Sequence, residues 1–277
     1  MSGRLYVVAT PIGNLADLSP RAGEALREVA VVLAEDTRRT RGLLSHLGIG
    51  AKRIERLDAH VESQGIGAWV DRMANGETVA LVSDAGMPLI SDPGADLVRA
   101  VGAAGLEVIV LPGPCAVTTA LAASGLCKGP FRFEGFLPRL GHERRRVLAS
   151  AAQCPDAVVF FESPERIAAT LSDVAERTPE RELIVARELT KLHEEIVRGT
   201  VAELAATERQ WRGEITVVLG AQSLASTSGL TLKQLDCRID DLLADGMRPR
   251  DVAKALALES ELSASEVYRR VTERREK

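Results

Sequence analysis

The sequence predicts an α/β fold: two α/β domains followed by a small C-terminal helical domain. Three observations carry this. Short strands recur every ~25 residues with helical patterns between them, the βα rhythm of a parallel sheet. Several strands, such as Val79-Ala80-Leu81-Val82, are apolar at consecutive positions, as strands covered on both faces are. The strands end in loops of small and rigid residues, above all Ser83 to Gly94, SDAGMPLISDPG. Such loops, at the carboxyl ends of strands, are where open α/β sheets hold ligands. This one is longer than an ordinary βα connection and carries the carboxylates of Asp84 and Asp92.

Taken in order, Leu5 to Ala9 is a strand ending in Thr10-Pro11-Ile12-Gly13-Asn14. Ser19-Pro20 starts a helix, Ser as N-cap and Pro at the first helical position, with Ala22, Leu26 and Val29 on its apolar face. Val31 to Ala34 is a strand running into Glu35-Asp36-Thr37-Arg38-Arg39-Thr40-Arg41. Two acids followed by three bases read either as a solvated loop or as a polar site of carboxylates and phosphate-binding arginines. A helix closed by Leu43, Leu44 and Leu47 stops at Gly48. His60 follows a short strand around Arg56-Leu57; a lone His is more often structural than catalytic. Ala68 to Ala74 is a helix before Val79, Ala95 to Ala104 the helix after the long loop, and Val108 to Leu111 a strand ending in Pro112-Gly113-Pro114-Cys115. An Ala-rich helix, Val117 to Ala123, follows.

The character changes at Gly129. Phe131 to Leu137 alternates like a half-exposed strand, and Pro138-Arg139 leads to a basic run with His142, Arg144, Arg145 and Arg146 at a helix start. Aromatics beside arginines are common in nucleic-acid binders, although a charge run is usually a solvated face. Strands at Val158 to Phe161, Leu183 to Ala186 and Ile215 to Leu219 complete a second, more antiparallel half. Boundaries are therefore expected at 1–113, 114–221 and 229–277, with Ala221 to Ser228 as linker. Leu232 to Leu243, Val252 to Leu258 and Ser265 to Arg275 are helical, and the last two have the spacing of a helix-turn-helix or of a tail that packs on another surface.

Composition excludes several classes. The 277 residues are 45% hydrophobic, 27% charged and only 3% aromatic, so the core rests on Ala, Val, Leu and Ile. A net charge of −4 speaks against non-specific wrapping of DNA but allows a local basic face. Cys115, Cys127, Cys154 and Cys237 show no metal spacing and suit a reducing compartment, and no metal is expected. No apolar run approaches the ~20 residues of a membrane helix, and no leader pattern precedes the first strand, so a cytoplasmic protein is expected. The phosphate-loop, dinucleotide, HExxH and GxSxG signatures are absent. The strand ends supply Asp, Glu, Arg, Lys and Thr, a set suited to orienting a charged ligand rather than to acyl-enzyme chemistry.

Read together, ATPIGNLADLSPRA, AEDTRRT, LVSDAGMPLISDPG, LPGPCAV, FEGFLPR, FFESPERI, ARELTKLHEE and GEITVVLG, in this order, resemble the bacterial ribosomal RNA small subunit methyltransferase I family within the tetrapyrrole methylase superfamily. The resemblance spans nearly the whole chain. It implies S-adenosylmethionine as donor, held between the two α/β domains, and 2′-O-methylation of a cytidine in the decoding region of 16S ribosomal RNA. It implies the small ribosomal subunit as partner and a homodimer, with neither membrane nor DNA. Two positions depart from the family pattern: Val61, where Asn is more frequent, which counts against a catalytic role around His60, and Arg139, where Pro follows FLP.

Carried over by motif, the cofactor residues are Ile12, Asp84, Met87, Cys115, Ala116, Phe161, Ala186, Glu214 and Ile215. A ribose hydroxyl needs a base, for which Glu35, Asp36, Glu162 and Glu188 are candidates and His60 a weaker one. Arg38, Arg166, Arg187 and Lys191 would hold RNA phosphates. A basic surface of Arg139, Arg144, Arg145 and Arg146 is expected, joined by Arg248, Arg250, Lys254, Arg269 and Arg270 of the tail. The competing expectations are a superfamily member methylating a tetrapyrrole or other small molecule, and a ligand-sensing regulator that reads DNA with its tail.

Overall fold

The computed structural model describes residues 2–57, 59–222, 235–236, 239–240, 242–243, 247–257 and 262–275. The chain forms two compact units, Met1–Ala221 and Gln222–Lys277. Both sheets lie in the first.

Sheet one has the order β3-β2-β4-β1-β5, built from β1 (Arg4–Val8), β2 (Val31–Ala34), β3 (Arg53–Arg56), β4 (Val79–Val82) and β5 (Glu107–Leu111). All its pairings are parallel. Alternate side chains pack on opposite faces, which is why the strands read as unbroken apolar runs. Leu5, Val7, Leu33 and Leu81 meet Trp69 and Met73 of α3 (Ala59–Ala74) and Leu97 of α4 (Ala95–Ala103). Val8, Val32 and Ala80 meet Leu26 of α1 (Pro20–Glu28) and Leu43 of α2 (Thr37–His46) on the other face. A fully buried Leu such as Leu26 contributes about 1.5–3 kcal/mol. The Ser19 cap is present, its hydroxyl accepting from the Ala22 N–H.

Sheet two has the order β6-β7-β10-β8-β9, from β6 (Phe131–Phe136), β7 (Ala157–Glu162), β8 (Glu182–Arg187), β9 (Glu195–Thr200) and β10 (Ile215–Leu219). Only β6 and β7 run parallel; the remaining pairings are antiparallel. One face packs against α6 (Gly141–Gln153) and α7 (Ile167–Ala175) through Leu148, Ile167 and Leu171. The other face takes Val117 and Ala120 of α5 (Ala116–Ser124), together with Ile12 from the loop after β1. The helix that leaves sheet one therefore belongs to the core of sheet two, and Ile12 knits the halves. α8 (Val201–Ala205) follows β9, opened by a capping box between Thr200 and Glu203.

Several expectations are corrected. The run Thr37–Arg41 is the first turn of α2, not a loop, because the Asp36 carboxylate caps the helix by accepting from the Arg38 N–H. α3 begins at Ala59, nine residues before its expected start, so the His60 backbone is helical; the His60 side chain lies outside the described residues. β9 and α8 were not expected at all.

In the second unit, Val252, Ala253 and Leu256 of α9 (Pro249–Ala257) pack with Val267 and Val271 of α10 (Ala264–Arg275). Arg248, Arg250, Lys254 and Arg269 are exposed. Arg270 is not a free basic group: its guanidinium is bidentate on Asp236, at 2.5 and 3.0 Å. The expected linker, 221–228, lies largely outside the described residues. Among the described residues no helix is long and apolar enough to cross a membrane.

Candidate active site

Loops from the carboxyl ends of β1, β2, β4 and β5 face loops of sheet two across a cleft. Its inner lobe, about 470 Å3, is lined by Ile12, Glu35, Asp84, Gly86, Met87 and Asp92 on one side. Cys115, Ala116, Phe136, Phe161, Glu214 and Ile215 line the other. An outer lobe of about 460 Å3 is bounded by Thr10, Gly13, Thr40 and Lys191, and shares Ile12, Arg39, Asp84, Ala85 and Glu214 with the inner one.

Backbone geometry shapes the wall. Thr10 and Gly86 exchange reciprocal backbone hydrogen bonds of 2.8 and 3.1 Å, clamping the β1 loop to the β4 loop. The buried Thr10 hydroxyl donates to the Ser83 carbonyl at 3.2 Å. Gly86 has φ +91, and a Cβ there would come within 3.1 Å of Ile12 Cγ2, so glycine lets the two loops meet. Leu89 and Ser91 also have positive φ, 73 and 67, a strain that recurs at ligand sites.

The structure brings Ile12, Asp84, Met87, Cys115, Ala116, Phe161, Glu214 and Ile215 to the inner lobe. Ala186 is set apart: it pairs with Thr216 and is fully buried in the core behind the lobe. Phe161 is the hub of an aromatic group, with ring centroids 5.1 Å from Phe133 and 5.2 Å from Phe136. A β-bulge between Phe133 and Phe136, with Gly135 at φ +65, turns Phe136 outward, where it is 63% exposed at the lobe.

The carboxylates differ in what holds them. Asp84 accepts from the Asp36 N–H at 3.0 Å and faces Arg39 Nε at 3.8 Å. Asp36 is occupied as the α2 cap, and the Arg38 N–H it accepts holds its pKa low. Glu162 is wholly buried, between Arg166, Arg144 Nη1 at 3.4 Å and the Thr170 hydroxyl at 2.7 Å. Glu188 accepts from Lys191 Nζ at 2.9 Å and the Glu214 N–H at 3.0 Å, and the Lys191 bond keeps its pKa below the usual range. Burial works against the Lys191 charge, but its bonds to Glu214 and Glu188 outweigh that and hold its pKa high.

These contacts correct three readings. Glu162 and Glu188 are held by partners in the fold rather than standing free in the cleft. Arg144 is not part of a basic surface; it is buried, with Nη2 on Thr170 at 2.7 Å and Asp173 at 3.3 Å. Arg166 and Arg187 are likewise committed, to Glu162 and the Leu137 carbonyl and to Glu195 at 2.7 Å. Arg38, Arg139, Arg145 and Arg146 are exposed, and Glu35 is an exposed group lining the inner lobe.

Asp92 lies outside the expected set of bases. Burial, with the charge of Glu35 and to a lesser extent of Asp84, pushes its carboxyl up to about 6 against the pull of the Ser83 hydroxyl. Its position in a Gly/Pro loop was visible in the sequence; its burial beside Glu35 arises only in the fold. Cys115, Cys127 and Cys154 are free thiols, and no group of His, Cys, Asp or Glu among the described residues could hold a metal.

The fold has counterparts. The structure of the methyltransferase CobJ superposes with a TM-score of 0.61 at 23% identity, covering 80% of this chain and 95% of that one. Uroporphyrin III C-methyl transferase from Thermus thermophilus gives 0.55 at 20%, covering 79% and 92%. These likenesses establish the fold. In sequence, the family model for Tetrapyrrole (Corrin/Porphyrin) Methylases matches residues 4–205. Proteins named Ribosomal RNA small subunit methyltransferase I are more similar still. That of Mycobacterium tuberculosis is 47% identical over 264 residues, 92% of this chain and 90% of its own. That of Synechocystis is 41% identical over 271 residues, 96% of each. With full-length identity at this level and the same fold, the chain belongs to the ribosomal RNA small subunit methyltransferase I family of tetrapyrrole methylases.

Proposed function

We propose that the chain transfers a methyl group from S-adenosylmethionine to the ribose 2′-hydroxyl of a cytidine in the decoding region of 16S ribosomal RNA. The observation that carries this is the inner lobe. It joins a space of about 470 Å3, within the usual range for a small-molecule site, to an exposed aromatic ring at its edge.

The donor fits the lining. Its sulfonium is cationic, and Glu35, Asp84 and Asp92 make that wall anionic. Its uncharged parts suit Ile12, Met87, Ala116 and Phe161. When bound, the donor supplies an electrophilic methyl carbon. The chain's own work is to hold the acceptor oxygen in line with that carbon and to exclude water. The clamped loops after β1 and β4 fix the wall, and a hydroxyl proton must leave to a nearby carboxylate.

The acceptor is RNA in this reading. Phe136 offers a stacking face for an unstacked base, and Arg38, Arg39, Arg139, Arg145 and Arg146 offer exposed charge for phosphates. Of these only Arg39 lines the cleft, so the charge extends beyond what a small acceptor seated there would meet. The enzyme would act in the cytoplasm on the small subunit, as a homodimer.

The test is to incubate the protein with methyl-labelled S-adenosylmethionine and small subunits lacking the modification, then digest the RNA and locate the label. Label on a cytidine 2′-oxygen of the decoding region is expected. Label on a base, on another RNA or only on a small molecule overturns the reading.

A further inference from the structure

Seven carboxylates line or border the cleft. Glu162 is enclosed by Arg144, Arg166 and Thr170; Glu188 and Glu214 share Lys191; Asp36 caps α2; Asp84 accepts a backbone N–H and faces Arg39. Each of these groups is already engaged by a partner within the fold, and for Asp36 and Glu188 that partner lowers the pKa. Asp92 stands in the opposite situation. It lines the inner lobe, is half-buried, and faces like charges from Glu35 at the end of β2 and Asp84 after β4.

Its hydrogen-bond donor, Ser83, has one hydroxyl hydrogen and a second acceptor, the Gly86 carbonyl at 3.0 Å. A protonated Asp92 can donate to Ser83 while Ser83 donates to Gly86; an ionised Asp92 must compete for that hydrogen. The strained backbone at Leu89 and Ser91 carries the segment over the lobe, and Ser91 abuts Gly135 of β6, beside Phe136. Asp92 and the exposed ring of Phe136 therefore line the same lobe.

We propose that Asp92 is the catalytic base, taking the proton of the acceptor hydroxyl, and that Glu35 and Asp84 are the charges that make it basic. The inference rests on the functional reading above. The hydroxyl oxygen forms a bond to the methyl carbon, the carbon–sulfur bond breaks with its electron pair going to sulfur, and the proton passes to the Asp92 carboxylate. The sulfonium ends as a neutral thioether, the oxygen as a methyl ether, and Asp92 returns its proton to solvent. Burial and Glu35 place the carboxyl near 6, so it is ionised at neutral pH yet a stronger base than an ordinary aspartate.

The test has two readouts. The first is carbon-13 NMR of the ligand-free protein labelled at aspartate carboxyls. One carboxyl should titrate with a midpoint near 6, vanish in Asp92→Asn and move to lower pH in Glu35→Gln. If no aspartate titrates above ~5, or if that signal survives in Asp92→Asn, the assignment is wrong. The second is single-turnover methyl transfer, with S-adenosylmethionine and RNA affinities measured in parallel. Asp92→Asn should lose ~10²-fold or more in rate while both affinities hold, and its residual rate should lack the acid limb expected of the wild type. Transfer by Asp92→Asn at the wild-type rate overturns the proposal alone. Wild-type label in the wrong place overturns the functional reading instead, and leaves the titration standing.

Discussion

The Asn14 N–H donates to the Thr190 hydroxyl across 2.9 Å, tying the loop after β1 to the loop after β8 and so one wall of the cleft to the other. The adjoining Gly13 is where the walls touch. A Cβ there would lie 2.4 Å from Lys191 Cγ and 2.8 Å from the Leu189 carbonyl oxygen. Gly13→Ala should therefore force the loops apart, at a cost of about 1–3 kcal/mol in stability and ~10-fold or more in donor affinity. Gly102 in α4 has open space at its Cβ, and Gly102→Ala should stabilise by about 0.5–1 kcal/mol. Calorimetric binding and thermal melts of the two variants check both outcomes.

Arg144, Arg145 and Arg146 are neighbours in sequence with separate tasks. Arg144→Ala would strip one partner from the buried Glu162 and should cost about 3–5 kcal/mol of stability. Arg145→Ala and Arg146→Ala should each cost under ~0.5 kcal/mol, yet lower RNA affinity and reduce the log–log salt slope by about 0.7 per lost phosphate contact. Denaturant titration and RNA binding at several salt concentrations separate the three.

Stability should also respond to pH through Asp92. Its folded-state pKa, about 6, lies above the ordinary 3.8, so between those values the folded state binds more protons than the unfolded one. Stability contributed by the protonated form is present below ~4 and lost as pH rises through 6. Discounted for partial exposure, the penalty above pH 7 is on the order of 1–2 kcal/mol. Asp92→Asn should remove it, so the variant melts higher than wild type at pH 8 and gains nothing at pH 4. Equal melting differences at both pH values would contradict this.

Phe136 is held by Phe161 and exposed at the lobe. Phe136→Ala should weaken RNA binding by about 1–3 kcal/mol, with Phe136→Tyr retaining most of it. Donor affinity should change little. A loss of donor binding in place of RNA binding would move Phe136 from the acceptor side to the donor side.

Much of the fold is legible in the sequence because its strands are short, apolar and followed by punctuation. Val31–Ala34, Val79–Val82 and Ile215–Leu219 coincide with their expected spans. β9 escaped because Glu195–Thr200 lies at a sheet edge, carries two charges and lacks a buried residue pattern. The start of α2 escaped because Asp36 was read as part of a charge run and not as a cap. Arg144 could have been placed from periodicity, since it precedes Leu148 by one helical turn on the buried face of α6. Asp92 could not: its environment is made by Glu35, 57 positions earlier, and by burial that no local pattern encodes.

β6 occupies the rim of sheet two, hydrogen-bonded to β7 alone, whereas β7, β10 and β8 form the interior. A border strand can be lengthened, re-bulged or re-lettered without disturbing the strands inboard of it. A change of length, bulge or side chain at Phe136 is absorbed at that margin and leaves the pairing of β7, β10 and β8 as it stands.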